Sequence, residues 1–146
     1  MINFQFRAED DGYVGLAFKY MDENNYYTFE MGCGDDMRKR FFQIRRKLDS
    51  SWSVLKRFNT NDEINQLPFF GCEINSWYAI SVEIKSCQAT VYASILGVTA
   101  VMEVMRINDC SISTGRIGLA TAGTRVSFAE ISIRPIPIPY SIINFN

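Results

Sequence analysis

Along most of this chain apolar and polar residues alternate in short runs, and Gly, Asn, Asp or Pro breaks each run. Alternation is the period of a half-buried strand, because successive side chains point to opposite faces of a sheet. It predicts strands over 2–8, 13–20, 26–33, 41–47, 53–58, 77–85, 88–95, 98–106, 116–121 and 125–134, and no helix. The breakers Glu9-Asp10-Asp11-Gly12, Asp22-Glu23-Asn24-Asn25 and Ala122-Gly123-Thr124 are rich in residues that tolerate positive φ or cap their own backbone. They predict hairpins between antiparallel neighbours. The longest connection runs over 59–76, polar at Asn59-Thr60-Asn61-Asp62-Glu63 and closed by Leu67-Pro68-Phe69-Phe70-Gly71. Loops of that length border binding sites or cover sheet edges.

So many strands in one open sheet would leave an apolar face in water, whereas two stacked sheets bury both inner faces. The expectation is an all-β, two-sheet antiparallel sandwich over 1–134. In the tail over 135–146, Pro135-Ile136-Pro137-Ile138-Pro139-Tyr140 loses backbone donors at alternate positions, which fits a sheet edge or an extended exit from the domain. Composition agrees: aromatic residues make up 14% of the 146 residues, and the apolar set is rich in Ile and Val, which favour pleated surfaces. A chain of this length buries a single core, so one domain is expected. No apolar run reaches the roughly 18 residues of a membrane-spanning helix, and the start Met-Ile-Asn-Phe-Gln-Phe-Arg does not read as a signal peptide.

The chain contains no His, which removes Ser-His-Asp and Cys-His chemistry, since both need an imidazole to accept and return a proton. Cys33, Cys72, Cys87 and Cys110 show no C-x-x-C spacing, so with no His a zinc site is not indicated. They read as disulfides of an oxidising compartment or as buried thiols of a reducing one. A meander of 88–95 against 98–106 brings Cys87 near Cys110 and leaves Cys33 with Cys72, one of three connectivities open to four cysteines.

Charge is unevenly spread. Residues 38–57 hold Arg38, Lys39, Arg40, Arg45, Arg46, Lys47, Lys56 and Arg57 against Asp49 alone, a local +7 in a chain of net charge −1. Such a segment either draws an anionic partner, such as a sulfated glycan or a phospholipid head group, or makes a hairpin soluble and guards a sheet edge.

The order of elements resembles the concanavalin A-like lectin and glucanase superfamily, in its laminin-G-like or thrombospondin C-terminal-like jelly rolls. The resemblance is carried by Asp10-Asp11-Gly12-Tyr13-Val14-Gly15-Leu16-Ala17-Phe18-Lys19-Tyr20, by Asp22-Glu23-Asn24-Asn25-Tyr26-Tyr27-Thr28-Phe29-Glu30, and by Trp77-Tyr78-Ala79-Ile80-Ser81-Val82-Glu83-Ile84. The closing pair is Gly115-Arg116-Ile117-Gly118-Leu119-Ala120-Thr121 with Val126-Ser127-Phe128-Ala129-Glu130-Ile131-Ser132-Ile133. Such domains usually carry another strand before the one at Ile2, so the expectation is a domain belonging to a larger chain. If Leu16, Phe18, Phe29, Met31, Phe42 and Ile44 face the core, then Lys19, Thr28, Glu30, Gln43 and Arg45 share the opposite face, where the resemblance places a ligand. Tyr26 and Trp52 are expected to add stacking there, with Trp77 in the core. The resemblance also makes a bound calcium conceivable, with Glu9-Asp10-Asp11 and Asp22, Asn24 and Asn25 as oxygen donors, although turn chemistry accounts for the same residues.

Glycanases of this fold need two carboxylates roughly 5–9 Å apart across a groove, which on a strand reads as acid-x-acid. No predicted strand of the chain shows that spacing: Asp35-Asp36 and Asp62-Glu63 are adjacent, which on a strand would put them on opposite faces, and Glu103 and Asp109 are isolated. The sequence therefore points to a non-catalytic recognition or adhesion module of a secreted or surface protein, binding a carbohydrate or protein partner and no nucleic acid. A sugar-active enzyme and a purely architectural domain are the alternatives.

Overall fold

The computed structural model describes residues 1–59 and 71–135. Ten strands occur among them: β1 (Ile2–Ala8), β2 (Gly12–Asp22), β3 (Asn25–Cys33), β4 (Phe41–Leu48), β5 (Ser51–Asn59), β6 (Trp77–Lys85), β7 (Gln88–Ile95), β8 (Met102–Asn108), β9 (Arg116–Ala122) and β10 (Val126–Ile133). A single 3-10 turn, Met37–Lys39, is capped by Asp36, which accepts from the Arg38 amide. Two five-stranded antiparallel sheets result, in the orders β10-β1-β6-β7-β8 and β5-β4-β3-β2-β9. We call them the first and second sheet. The all-β sandwich expected from the alternation is the observed architecture. The polar run over 60–63, Leu67 to Phe70, and the tail from Ile136 onward lie outside the described residues.

Only one of the three hairpins predicted from turn residues is a hairpin. Asp22 pairs with Asn25 across the β2–β3 turn. The turn at 9–11 instead carries the chain from the first sheet to the second, and the turn at 123–125 carries it back, since β9 pairs with β2 and β10 with β1. Turn residues permit a chain reversal without stating which strand receives it. The polar Glu9, Asp10 and Arg125 that cross the rim are tied by an Arg125 Nε bond to Asp10 of 3.0 Å and an Arg125–Glu9 contact of 3.8 Å.

Every second residue of the inner strands enters one core. Phe4 and Phe6 of β1, Leu16 and Phe18 of β2, Phe29 and Met31 of β3, Phe42 and Ile44 of β4, Ile80 and Val82 of β6 and Val91 of β7 are all buried. Phe29 and Phe42 lie 6.5 Å apart and Phe6 stacks on Tyr78 at 5.6 Å. Burial of an aromatic or branched side chain stabilises by about 1.5–3 kcal/mol, so this layer dominates the fold energetics. Trp77 is not in it. The β6 register turns Trp77 outward beneath the Arg7 guanidinium, 5.5 Å from its ring, and turns Tyr78 inward.

Both disulfides lie beside backbone hydrogen bonds at strand ends. Cys33–Cys72 ties the end of β3 to the strand-like bridge beyond the long connection, and Cys87–Cys110 ties the β6–β7 turn to the segment after β8. These are the two pairings expected from the sequence.

Candidate functional site

The outer face of the second sheet carries the candidate site, and strand register lays it out in transverse rows. Arg116 opposes Tyr20, and Tyr26 opposes Lys47, which opposes Trp52. One step along, Gly118, Ala17, Thr28, Arg45 and Val54 stand in register, and one step further Ala120, Gly15, Glu30, Gln43 and Arg57 do. The β4–β5 side of the face therefore bears long side chains, while the β2–β9 side is floored by Gly or Ala. A groove of about 280 Å³ opens there, lined by Ala17, Tyr20, Arg116 and Gly118 with Ile117 and Leu119 at its edge.

Glu30 organises the long-chain half. Its Oε1 accepts from Thr28 Oγ1 at 2.9 Å and from Arg45 Nε at 2.9 Å, and Arg45 Nη2 bonds the same oxygen. Its Oε2 accepts from Gln43 Nε2, whose own Oε1 accepts from Arg57 Nη1 at 2.8 Å. The Arg45 guanidinium lies over Trp52, 4.2 Å from the ring centroid, and that of Arg57 over Phe41 at 4.4 Å. These covering side chains explain why Glu30, on an outer face, is only 1% exposed. A carboxylate out of water is tolerated only when paired and hydrogen-bonded, and this one is. Four donors hold it in one rotamer and fix the guanidinium and amide around it.

The aromatic row crosses the end of the same face. Tyr20 and Tyr26 have ring centroids 5.2 Å apart, and Tyr26 meets Trp52 edge to face at 5.4 Å. Burial and the neighbouring Tyr20 push the Tyr26 phenol up, so it remains a hydrogen-bond donor at neutral pH. Trp52 is 43% exposed, with Arg45 and Lys47 over its ring at 4.2 and 5.9 Å. Gly15 is required by the close approach of β2 to β3: a Cβ there would sit 1.9 Å from the Phe29 carbonyl oxygen.

Four of the five residues expected on this face are on it: Thr28, Glu30, Gln43 and Arg45. Lys19 is not. A bulge follows Phe18, Lys19 takes φ of 49°, and the alternation slips by one so that Tyr20 stands outward in its place. Lys19 turns to the rim between the sheets, where Nζ donates to the Ser86 carbonyl at 2.8 Å and lies 5.7 Å from the Tyr27 ring. Burial lowers its pKa, partly opposed by Asp109. A bulge is caused by what the strand must reach across the sandwich, which local alternation does not encode. Tyr20, Arg57 and Arg116 were missed for related reasons: Tyr20 through the bulge, Arg57 and Arg116 because register, not sequence distance, brings them to the face.

The basic segment does not form one patch. Arg38 pairs with Asp36 at 2.7 Å, Lys39 with Asp11, and Arg40 Nε donates to the Gly34 carbonyl at 2.7 Å, all at the start of β4. Arg46, opposing the buried Tyr27, points to the core side, where Nη1 reaches Asp109 at 2.7 Å and Ser111 at 2.6 Å. Only Arg45, Lys47 and Arg57 reach the outer face. The acidic residues of the first 37 positions are thus the partners of part of this segment, and the +7 of the sequence is divided among three places. The oxygens considered for calcium are engaged similarly: Asp22 accepts from the Asn24 amide and Asn25 Nδ2, and Asp10 from Arg125. Among the described residues no group of three or more His, Cys, Asp or Glu is placed to hold a metal ion, and no helix there is long and apolar enough to cross a membrane.

Two five-stranded antiparallel sheets joined by connections that cross at their rims form a jelly-roll β-sandwich. Solved structures with this architecture match it. A carbohydrate-binding module from Bacillus subtilis aligns with 89% of this chain and 72% of its own, at 15% identity and a TM-score of 0.61. A xylan β-1,4-xylosidase from Bacillus halodurans aligns over 88% of this chain but only 27% of its own, at 14% identity and a TM-score of 0.56. A galectin of Xenopus laevis aligns over 88% and 89%, at 15% identity and a TM-score of 0.50. No protein-family model matches the sequence, and no curated protein is detectably similar to it.

Proposed function

We propose that this chain is a non-catalytic carbohydrate-recognition module and that the outer face of its second sheet holds the sugar. One observation carries the reading: a fixed polar cluster around Glu30 adjoins a row of aromatic rings and a groove floored by Gly and Ala. A buried ionic cluster rarely repays its desolvation as stability, so its value is to hold side chains in place. Aromatic faces beside convergent polar groups suit a pyranose, which offers an apolar C–H face and a hydroxyl rim. The carbohydrate-binding module and the galectin named above support the same class of ligand.

Catalysis is not part of this reading. Two carboxylates are needed for glycoside hydrolysis, and the rows of this face hold one, already saturated by donors. The two disulfides favour an extracellular or cell-surface setting, since such bonds persist in oxidising compartments. Assignment to the laminin-G-like or thrombospondin C-terminal-like branch, and a place in a larger chain, rest on the sequence resemblance. Calcium remains a proposal of that resemblance, tested by repeating binding with chelator.

Binding of a broad glycan panel by the wild type and by Trp52→Ala tests the proposal. The expected result is saturable binding to a subset of glycans that Trp52→Ala abolishes while the variant keeps a cooperative unfolding transition. Silence of the wild type across the panel, or full binding by the variant, rejects this face as a sugar site. In the first case the exposed apolar edge at Ile117, Leu119, Ile131 and Ile133 makes an architectural, protein-contacting domain the better account.

A further inference from the structure

We propose that the sugar held by this face bears an anionic group, a carboxylate or a sulfate, and that Arg116 receives it across the groove from the Glu30 cluster. The inference rests on the recognition reading above and concerns which saccharides that face selects.

Its basis is an imbalance of donors and acceptors. Within the rows of the face the charged side chains are Arg45, Lys47, Arg57 and Arg116 against Glu30 alone, a local +3. Glu30 does not serve a ligand, because Oε1 already accepts three donors and Oε2 a fourth, and the group is out of contact with water. The Gln43 carbonyl oxygen and Asn59 Oδ1 are likewise occupied, both by Arg57. A guanidinium has five N–H donors and no acceptor. The polar side chains lining the groove are Arg116 and Tyr20, and the acceptors of the long-chain half being occupied, the Tyr20 hydroxyl is the one acceptor among them beside the unused N–H donors of Arg116.

Neutral sugars present hydroxyls that both give and accept, so a site for them normally offers a carboxylate or carbonyl to take the hydroxyl hydrogen. A site rich in donors and poor in acceptors instead suits a group that only accepts. Carboxylate and sulfate do so, and the planar fork of Arg matches them bidentately. Arg116 is placed for this. It stands on the edge strand β9, is exposed, and has no ion pair or hydrogen bond among the described residues. Between it and the long-chain half lies open space: a Cβ built on Gly118 meets nothing within 4 Å. The gap from β9 to β3 spans two strand spacings, about 10 Å, wide enough for one sugar ring lying on Ala17 and Gly118.

Matched ligand pairs test the inference: tetragalacturonate against its methyl ester for the carboxylate, and 6′-sulfolactose against lactose for the sulfate, measured by calorimetry at two salt concentrations. The expected result is about tenfold tighter binding of at least one anionic member, weakening with salt. The pair that shows the preference identifies the group. Arg116→Gln should remove most of that preference, whereas Lys85→Gln, a cation on the first sheet, should leave it intact. Equal affinity for both members of each pair, or binding of neutral glycans only on the broad panel, overturns the inference and leaves the recognition reading standing. Loss of the preference in Lys85→Gln to the same degree overturns it too, because the effect would then be a diffuse field. No binding to any glycan overturns both.

Discussion

Glu30 concentrates the energetic risk of this protein in one side chain. Its charge is balanced by Arg45 and its oxygens by Thr28, Arg45 and Gln43, so the cluster is satisfied only as a whole. Glu30→Gln keeps the size but places an amide N–H₂ against donors, leaves Arg45 without its counter-charge and breaks the link to Gln43. A cost of about 2–3 kcal/mol is expected, below the value for a fully buried pair because Arg45 keeps a quarter of its side chain in water. Urea unfolding of the two proteins measures it, and a change below half of that would mean that water already shares the cluster. A double-mutant cycle with Arg45→Met separates the pair from the rest. Gly15 is a second residue with one permitted identity. Gly15→Ala brings a Cβ onto the Phe29 carbonyl and must part β2 from β3, so a loss of about 2 kcal/mol is expected, with slower migration if the sheet opens.

At the scale of elements, period-two alternation located ten strands to within a few residues, because both sheets have one buried and one wet face. The same signal fails where tertiary demands set the backbone. It carried Lys19 to the outer face although a bulge turns it to Ser86, and it read the turns at 9–11 and 123–125 as hairpins although they join different sheets. Strand 98–106 starts late, at Met102, because Thr99 Oγ1 accepts from the Ile95 amide and closes a turn there. The cysteine pairs were legible through the meander of β7 and β8. Their work is to hold segments that make few strand bonds: Cys87–Cys110, closing 23 residues, fixes the stretch from Asp109 to Ile112 against Tyr27. Replacing both cysteines by Ala should cost about 3 kcal/mol by loss of loop closure. Amide exchange should accelerate at Ser111 and Ile112 before it does in β3 or β4, and uniform acceleration would show that the bridge supports the whole sandwich instead.

The whole molecule sets its pH range through groups at the rims of the sandwich. Burial pushes Asp109 up, but bonds from Tyr27 at 2.5 Å and from Ser111, with the Arg46 charge, outweigh it and hold the carboxyl below its usual range. Asp10 is lowered by its bond from Arg125, and Asp36 falls to about 2 through its bonds from Arg38. A carboxyl whose pKa is depressed by folding contributes stability above its unfolded value, near 4, and loses it as pH falls through the folded value. Stability should therefore be flat near neutrality and decline from about pH 4 downward. Tyr27 works at the other end: burial, then the bond to Asp109, pushes its phenol up to about 12. A raised pKa leaves its contribution intact below the unfolded value near 10, and that contribution is lost as pH rises toward the folded value. The two limbs share the Tyr27–Asp109 contact, which distinguishes this account from a general effect of net charge. In Asp109→Asn the deficit relative to wild type should be largest near neutral pH and should close as pH falls from about 4 toward 2, because the wild-type carboxyl is then protonated as well. In Tyr27→Phe the alkaline decline should begin later than in wild type. Parallel curves for Asp109→Asn and wild type down to the lowest pH would mean that acid sensitivity resides in other carboxylates, and the rim contact would then be a positional tie without a role in titration.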